Sequence, residues 1–294
     1  MFNVDLGDAN DPGFDTGFPV DMGIFRLYES TADFDVMARL TGPRRLDITT
    51  GAEANKANAT FDYMDGWVSS GMASHIGWAW RRAPGYFDVV AYTGNGSGTN
   101  DVSHNLGVKP ELVICKCRTI GTYNWPTITD ASVSSAATLF LNTNSSNAGG
   151  SSSGMFTDTI VKVGSTGGLA SLYGDQVNDS GETFMMYLFA SVAGISKVGT
   201  YSGTGSDVNV DCGFSAGARL VIIKRSDSTG DWYLYDSVRG IVAGNDPYLL
   251  MNSSAAQVTN TDYIDPLSSG FTVTSSAPAD LNTSGGAYVF YAIA

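Results

Sequence analysis

The sequence is poor in what most chemistry requires. Among 294 residues there are two histidines, three cysteines and only 16 Lys+Arg, against 29 Asp+Glu. The formal charge of −13 repels phosphate backbones, and basic doublets are few (Arg44-Arg45, Arg81-Arg82 and Lys224-Arg225), so nucleic-acid binding is not expected. Three cysteines cannot all pair within one chain. Cys115 and Cys117 stand two apart in a strand-like run and share a face, too far apart to bridge, so buried, reduced thiols are expected. No basic segment followed by an apolar core opens the chain, and the longest apolar run, residues 184–195, is too short for a bilayer. A soluble chain without signal peptide or membrane insertion, made in a reducing compartment, is expected. No segment sustains a 3.6-residue apolar period, which excludes long helices.

Apolar residues and turn formers are plentiful instead. Hydrophobic residues make up 43% and charged ones 15%, enough for a sizeable core, and 35 glycines with many Ser, Thr and Asn suggest turns between short strands. The chain reads as all-β.

It also repeats itself. Tyr92 corresponds to Tyr201, Leu112-Val-Ile to Leu220-Val-Ile, Trp125 to Trp232, Asn142 to Asn252, and the closing strand with Tyr187 and Ala190 to that with Tyr291 and Ala294. The spacing is nearly constant over these ordered blocks, which marks a duplication. A more divergent copy precedes them. Gly17-Phe-Pro-Val-Asp-Met-Gly-Ile-Phe-Arg matches Gly107-Val-Lys-Pro-Glu-Leu-Val-Ile-Cys-Lys, Phe34 takes the place of Trp125, and Arg45-Leu-Asp-Ile-Thr-Thr that of Thr138-Leu-Phe-Leu-Asn-Thr. Three tandem β-sandwich or jelly-roll-like modules are therefore expected, at 1–85, 86–194 and 195–294, forming a stiff rod or a compact platform. Thr93-Gly-Asn-Gly and Ser202-Gly-Thr-Gly read as tight hairpins. The first module has no counterpart of this stretch. Either its first strand has diverged, or another chain completes the edge, with Val4, Leu6 and Phe14 as the partner edge.

The search for chemistry yields little. His75 reads as a strand-edge residue and His104 as a surface one; HExxH, paired CxxC, nucleophile elbows and phosphate loops are missing. Asp175, Asp179 and Glu182, or Asp62 and Asp65, are candidate carboxylates for glycoside hydrolysis, but the modules do not share them. Asp8, Asn10, Asp11 and Asp15 crowd one loop, a candidate calcium site whose spacing fails the EF-hand pattern. Trp78 and Trp80 share a face and are expected in a core, as are Phe34, Trp125 and Trp232. No catalytic residue, metal ligand or cofactor is assigned. The low-complexity stretch 142–154, with Asn142, Asn144, Asn147 and Ser151, is a candidate contact loop.

These residues resemble a known group. The Trp-Ala-Trp-Arg-Arg-Ala-Pro-Gly-Tyr-Phe-Asp-Val junction, Tyr-Thr-Gly-Asn-Gly, the Leu-Gly-Val-x-Pro-Glu-Leu-x-Ile-x-Lys corner, Leu-x-Leu-Asn and the closing Tyr strand resemble modules of bacteriophage virion proteins: tail-fibre, appendage, capsid-fibre and decoration chains. The resemblance spans about residues 17–294. It implies a non-enzymatic structural component of the virion surface, assembled in the host cytoplasm. Its partners would be other virion proteins and copies of itself; the alternative reading is an adhesin module that binds a host receptor or surface glycan, with a glycan hydrolase ranked below it. It carries over no catalytic residue.

Overall fold

The computed structural model describes residues 1–49, 51–57, 59–68, 71–130, 138–146, 154–164 and 174–294. The chain is all-β. Among the described residues the α-helices are two single-turn pieces, Gly174–Asn178 and Ala279–Asn282.

Three large antiparallel sheets dominate, and their strands follow one order. Sheet II runs Phe87–Thr93, Thr183–Phe189, Leu112–Cys117, Pro126–Thr129, Thr138–Phe140. Sheet III runs Ser196–Ser202, Ala287–Ile293, Leu220–Arg225, Trp232–Asp236, Leu249–Leu250. Sheet I runs Phe2–Leu6, His75–Trp80, Met22–Leu27, Asp35–Ala38, Arg44–Asp47, with Ala54–Asn55 added at its far edge. In each, the last strand in sequence lies between the first and second, so the ends of the segment meet in the sheet.

Alternation explains why the central strands are apolar throughout. Leu112 and Ile114 face one side while Val113 and Cys115 face the other, and Leu220/Ile222 and Val221/Ile223 do the same. The first set, with Met22, Ile24, Trp78, Trp80, Tyr187 and Tyr291, belongs to one core built from all three sheets. The second set packs each sheet against its own outer layer. That layer is Phe14–Asp15 with Gly66–Trp67 on sheet I and Asn100–Ser103 with Ile160–Val163 on sheet II. On sheet III it is Val208–Asp211, Gly270–Val273 and Ile264–Leu267. Each large sheet is thus one layer of a sandwich and one wall of a common core. A rod of independent sandwiches is ruled out by that shared core.

Polar ties run around the ring. Trp125 Nε1 donates to Asp47 O (3.2 Å), and Trp232 Nε1 to Phe140 O (2.8 Å), linking sheet II to I and III to II at matching positions. Phe34, with no N–H to give, stands at the third position. There the Arg26 guanidinium lies 4.7 Å from the Phe34 ring centre and donates to Ser253 O, Ser254 O and Ala255 O, linking sheet I to the sheet III segment. Lys116 and Lys224 occupy the corresponding buried places; burial pushes each ammonium down to about 8. Both are held by carbonyls, Lys116 by Gly121 and Tyr123, Lys224 by Arg225 and, at 3.5 Å, Asn144.

Several expectations change. The Gly-rich stretches after Thr93 and Ser202 are not hairpins: Phe87–Thr93 pairs with Thr183–Phe189, whereas Asn100–Ser103 pairs with Ile160–Val163 in the outer layer. They are corners from the large sheet to the small one. A buried asparagine clamps each. Asn178 Oδ1 accepts from Asn95 N (3.0 Å) and Asn282 Oδ1 from Thr204 N (2.9 Å). A Cβ on Gly94 would stand 2.0 Å from Asp179 O, and one on Gly203 2.3 Å from Thr283 O, so close backbone approach demands these glycines.

Sheet I does begin with a strand of its own. Phe2–Leu6 pairs with His75–Trp80 as Phe87–Thr93 does with Thr183–Phe189. Val4 is buried in the common core and Phe14 in the outer layer; Leu6 is exposed. Arg219, just before sheet III's Leu220–Arg225, reaches across to this strand and donates to Asn3 Oδ1 at 3.0 Å. His104, expected at the surface, is buried, with Nε2 3.2 Å from Thr157 O and Nδ1 accepting from Leu106 N. The cysteines are unpaired and buried, and Phe34, Trp78, Trp80, Trp125 and Trp232 lie in the common core.

Gly203→Ala is expected to lower stability by about 1–3 kcal/mol through overpacking against Thr283 O. For a chain of this size that corresponds to roughly 2–4 °C of Tm per kcal/mol, read by calorimetry. An unchanged Tm would show that the corner relaxes freely.

Candidate functional site

The cross-strand partners of sheets II and III at one position are apolar: Pro126 faces Phe140, and Tyr233 faces Leu250. In sheet I the same register brings Asp35 opposite Asp47. Like charges directly opposite destabilise a sheet, so this pair needs compensation. Arg45 and Lys56 supply it. Arg45 Nη1 lies 2.7 Å from Asp35 Oδ1 and 3.6 Å from Asp47 Oδ1, and Lys56 Nζ lies 2.7 Å from Asp35 Oδ2. The Lys56 ammonium also sits 5.0 Å from the Phe25 ring centre.

These side chains line a cleft of about 230 Å³, with Asp33 and His75 at its walls. Asp35 itself is buried and held between its two cations. Asp47 is pushed up to about 6, first by burial and then by its hydrogen bond with Asp35. One side of the cleft therefore offers a carboxyl able to give or take a proton near neutral pH. Asp47 Oδ1 and Arg45 Nε are buried atoms with no hydrogen-bond partner, the Arg45 contact to Asp47 being only a long ion pair. His75 Nδ1 is directed at Met72 O and Ala73 O.

The arrangement suits recognition of a polar group better than hydrolysis. A glycosidase keeps its carboxyls roughly 5–9 Å apart with the sugar or water between them. Asp35 and Asp47 stand directly opposite each other in the ladder and share Arg45. Nor is it a metal cradle, because Lys56 and Arg45 already neutralise the Asp35 oxygens. Among the described residues no three His, Cys, Asp or Glu side chains come together as ligands. Asp8 accepts from Asn10 N and Nδ2 within its own turn.

The other residues singled out in the sequence do not meet here. Asp179 accepts from Tyr123 O–H (2.9 Å), Glu182 from Thr119 Oγ1, and Asp62 from Thr60 Oγ1 (3.0 Å). Asn142 is half-buried and structural. Its Oδ1 accepts from Trp125 N and its Nδ2 donates to Asn124 Oδ1, as Asn252 does with Trp232 N and Asp231. Asn144 is exposed, its carbonyl accepting from Gly230 N; Asn147 and Ser151 lie outside the described residues. The cleft was missed although a signal existed: aligning Arg45-Leu-Asp-Ile with Thr138-Leu-Phe-Leu sets Asp47 against Phe140.

Residues 55–294 match a family described as "Domain of unknown function (DUF7483)". The matched region takes in all of sheets II and III and the strand His75–Trp80, and of the cleft's charged groups only Lys56. No curated protein matches the chain.

Because Asp47 titrates higher folded than unfolded, its contribution to stability is present in full below about pH 4 and is lost as pH rises through 6. Asp47→Asn removes that loss. Solvent reaches the carboxyl, which reduces the effect to about 1 kcal/mol. Relative to the parent, the variant should match at pH 4 and melt roughly 2–4 °C higher at pH 7.5. A pH-independent difference between the two melting curves would contradict this assignment.

Proposed function

We propose that this chain, which belongs to the DUF7483 family, is a non-enzymatic structural protein of a bacteriophage particle surface: a tail-fibre, capsid-fibre, decoration or adaptor component. In this reading residues 1–85, 86–194 and 195–294 are three copies of one β-sandwich module, fused into a single platform. Its partners are other virion proteins and further copies of itself, and it needs no cofactor.

The observation that carries this reading is where the buried polar groups are used. Arg26 and the Trp125 and Trp232 indoles bond main-chain carbonyls across the seams between sheets, Asn178 and Asn282 bond those of the corners, and Lys116 and Lys224 bond carbonyls beside their own strands. Such a unit is suited to bearing load and presenting loops rather than to opening around a substrate. The acidic surface favours solubility before assembly. The resemblance of the Trp78–Val89 junction and the corners to virion modules supplies the setting.

A second reading, attachment to a host-surface glycan or receptor, is favoured by the polar cleft of sheet I, which brings Asp33, Arg45, Asp47 and His75 to one cleft.

Mass spectrometry and immunogold imaging of gradient-purified phage particles should find the chain at fixed stoichiometry on the particle exterior. If the particles lack it, the structural reading fails. On a glycan array, the second reading expects binding that Arg45→Ala reduces at least tenfold; a flat array, or equal binding by the variant, removes it.

A further inference from the structure

The first strands of the three sheets correspond residue by residue. Phe2, Phe87 and Ser196 stand opposite Trp80, Phe189 and Ile293, the matching positions of the closing strands. Val4, Val89 and Val198 then enter the common core, so the residues on either side of each valine face the outer layer. In sheet I these are Asn3 and Asp5, and both tie the layers together. Asn3 Nδ2 donates to Asp15 O and Asp5 Oδ2 accepts from Asp15 N, each at 2.8 Å. In sheet II Asp88 Oδ2 accepts from Asn105 N at 2.7 Å, and Val90 packs on the private core. Sheet III has Lys197 and Gly199 in these places. Among the described residues the Lys197 side chain makes no hydrogen bond or ion pair. Gly199 has no side chain to reach across, and the Phe290 ring stands 2.6 Å from where its Cβ would be.

Where the other two sandwiches are fastened, this one opens into a cleft of about 370 Å³ between Ser196–Ser202 and Val208–Asp211. That is ample for a small polar molecule. Its charged lining is Lys197, Asp211 and Glu111, the last contributed by the sheet II segment. Glu111 Oε2 accepts from Ser191 N (2.6 Å) and Asp211 Oδ1 from Gly213 N (2.8 Å), so one oxygen of each carboxylate carries no such bond. Neither carboxylate pairs with Lys197. Opposite charges that line one cleft without meeting leave room for a ligand between them. The strand edge adds main-chain groups. Val198 N donates outward to Ser191 Oγ (3.0 Å), and Thr200, next in that alternation, turns its N–H and C=O outward with no protein partner.

We propose that this cleft of sheet III binds a free diamino acid of the lysine type. The ligand carboxylate meets the Lys197 ammonium and the Thr200 N–H, and its two ammonium groups meet Glu111 and Asp211. One cation and two anions on the protein are thus matched by one anion and two cations on the ligand. The carboxylate also restores what this sheet lacks. Asp5 and Asp88 supply one from the first strand in sheets I and II, and sheet III has none there. A neutral sugar would leave Lys197 unpaired, and a simple anion would face two carboxylates.

Titrating L-lysine into the nitrogen-15-labelled full chain, read by amide chemical shifts, tests this. Saturable shifts are expected at Lys197, Thr200 and Asn209. Lys197→Ala and Asp211→Asn should each weaken binding roughly tenfold, the loss of one charge-assisted contact. Asp211→Asn keeps the oxygen that accepts from Gly213 N and serves if Lys197→Ala does not fold. Cadaverine, which lacks the carboxylate, and ε-aminocaproate, which lacks the α-ammonium, should bind roughly tenfold more weakly than lysine. Arg45→Ala, in the separate cleft of sheet I, should bind lysine as the parent does. Absent or unsaturable shifts overturn the proposal, as does parent-like binding by a folded Lys197→Ala or Asp211→Asn. Cadaverine or ε-aminocaproate binding as tightly as lysine, or weakened binding in Arg45→Ala, overturns it too.

Discussion

The structure depends on burying both faces of every large sheet. A strand such as Leu112–Cys117 sends Leu112 and Ile114 into a core shared with two other sheets and Val113 and Cys115 into a private one. Neither face can be polar, which is why these strands lose the in-out alternation of an ordinary surface sheet. The same demand limits independence. A large sheet removed from its partners would expose residues as large as Trp78, Trp80, Tyr187 and Tyr291, each contributing about 1.5–3 kcal/mol by burial.

A core walled by three sheets has seams, and the seams are where main-chain carbonyls stand without ladder partners. The molecule closes them with side chains at one repeated position: an indole in sheets II and III, and a guanidinium stacked on Phe34 in sheet I. The substitution is chemically coherent. Phe34 cannot donate, and Arg26 offers enough donors to take three carbonyls across the seam where Lys116 binds carbonyls of its own segment. Burying these cations is costly, as the lowered values of the two lysines show, and carbonyl oxygens offset that cost.

Sheet I departs from this pattern at one place. Where sheets II and III use apolar cross-strand pairs, it sets Asp35 against Asp47 and then neutralises them with Arg45 and Lys56. A local rule broken and then compensated sets this edge of sheet I apart from the other two sheets. The departure was legible once Arg45-Leu-Asp-Ile was set beside Thr138-Leu-Phe-Leu, which puts Asp47 against Phe140. Its meaning was not, because Lys56 comes from a different strand region and meets Asp35 only through the folded edge of the sheet.

Taken alone, the sequence determined the fold class, the burial of the tryptophans, the buried and unpaired state of the thiols and the correspondence of the strands, all of which follow from local alternation and from self-comparison. It misjudged whatever depended on partners distant in the chain. The Gly-rich stretches looked like hairpins because glycine signals a turn without saying which strand follows it. His104 looked exposed because its neighbours are polar, yet Thr157, far along the chain, covers it. Asn142 looked like a contact residue because low-complexity loops are usually free, while its amide caps Trp125. Only the tertiary structure decided that the three sheets share one core. The choice between a row of sandwiches and a closed ring lies in which side of each sheet faces its neighbours, and alternation along a strand is identical in both.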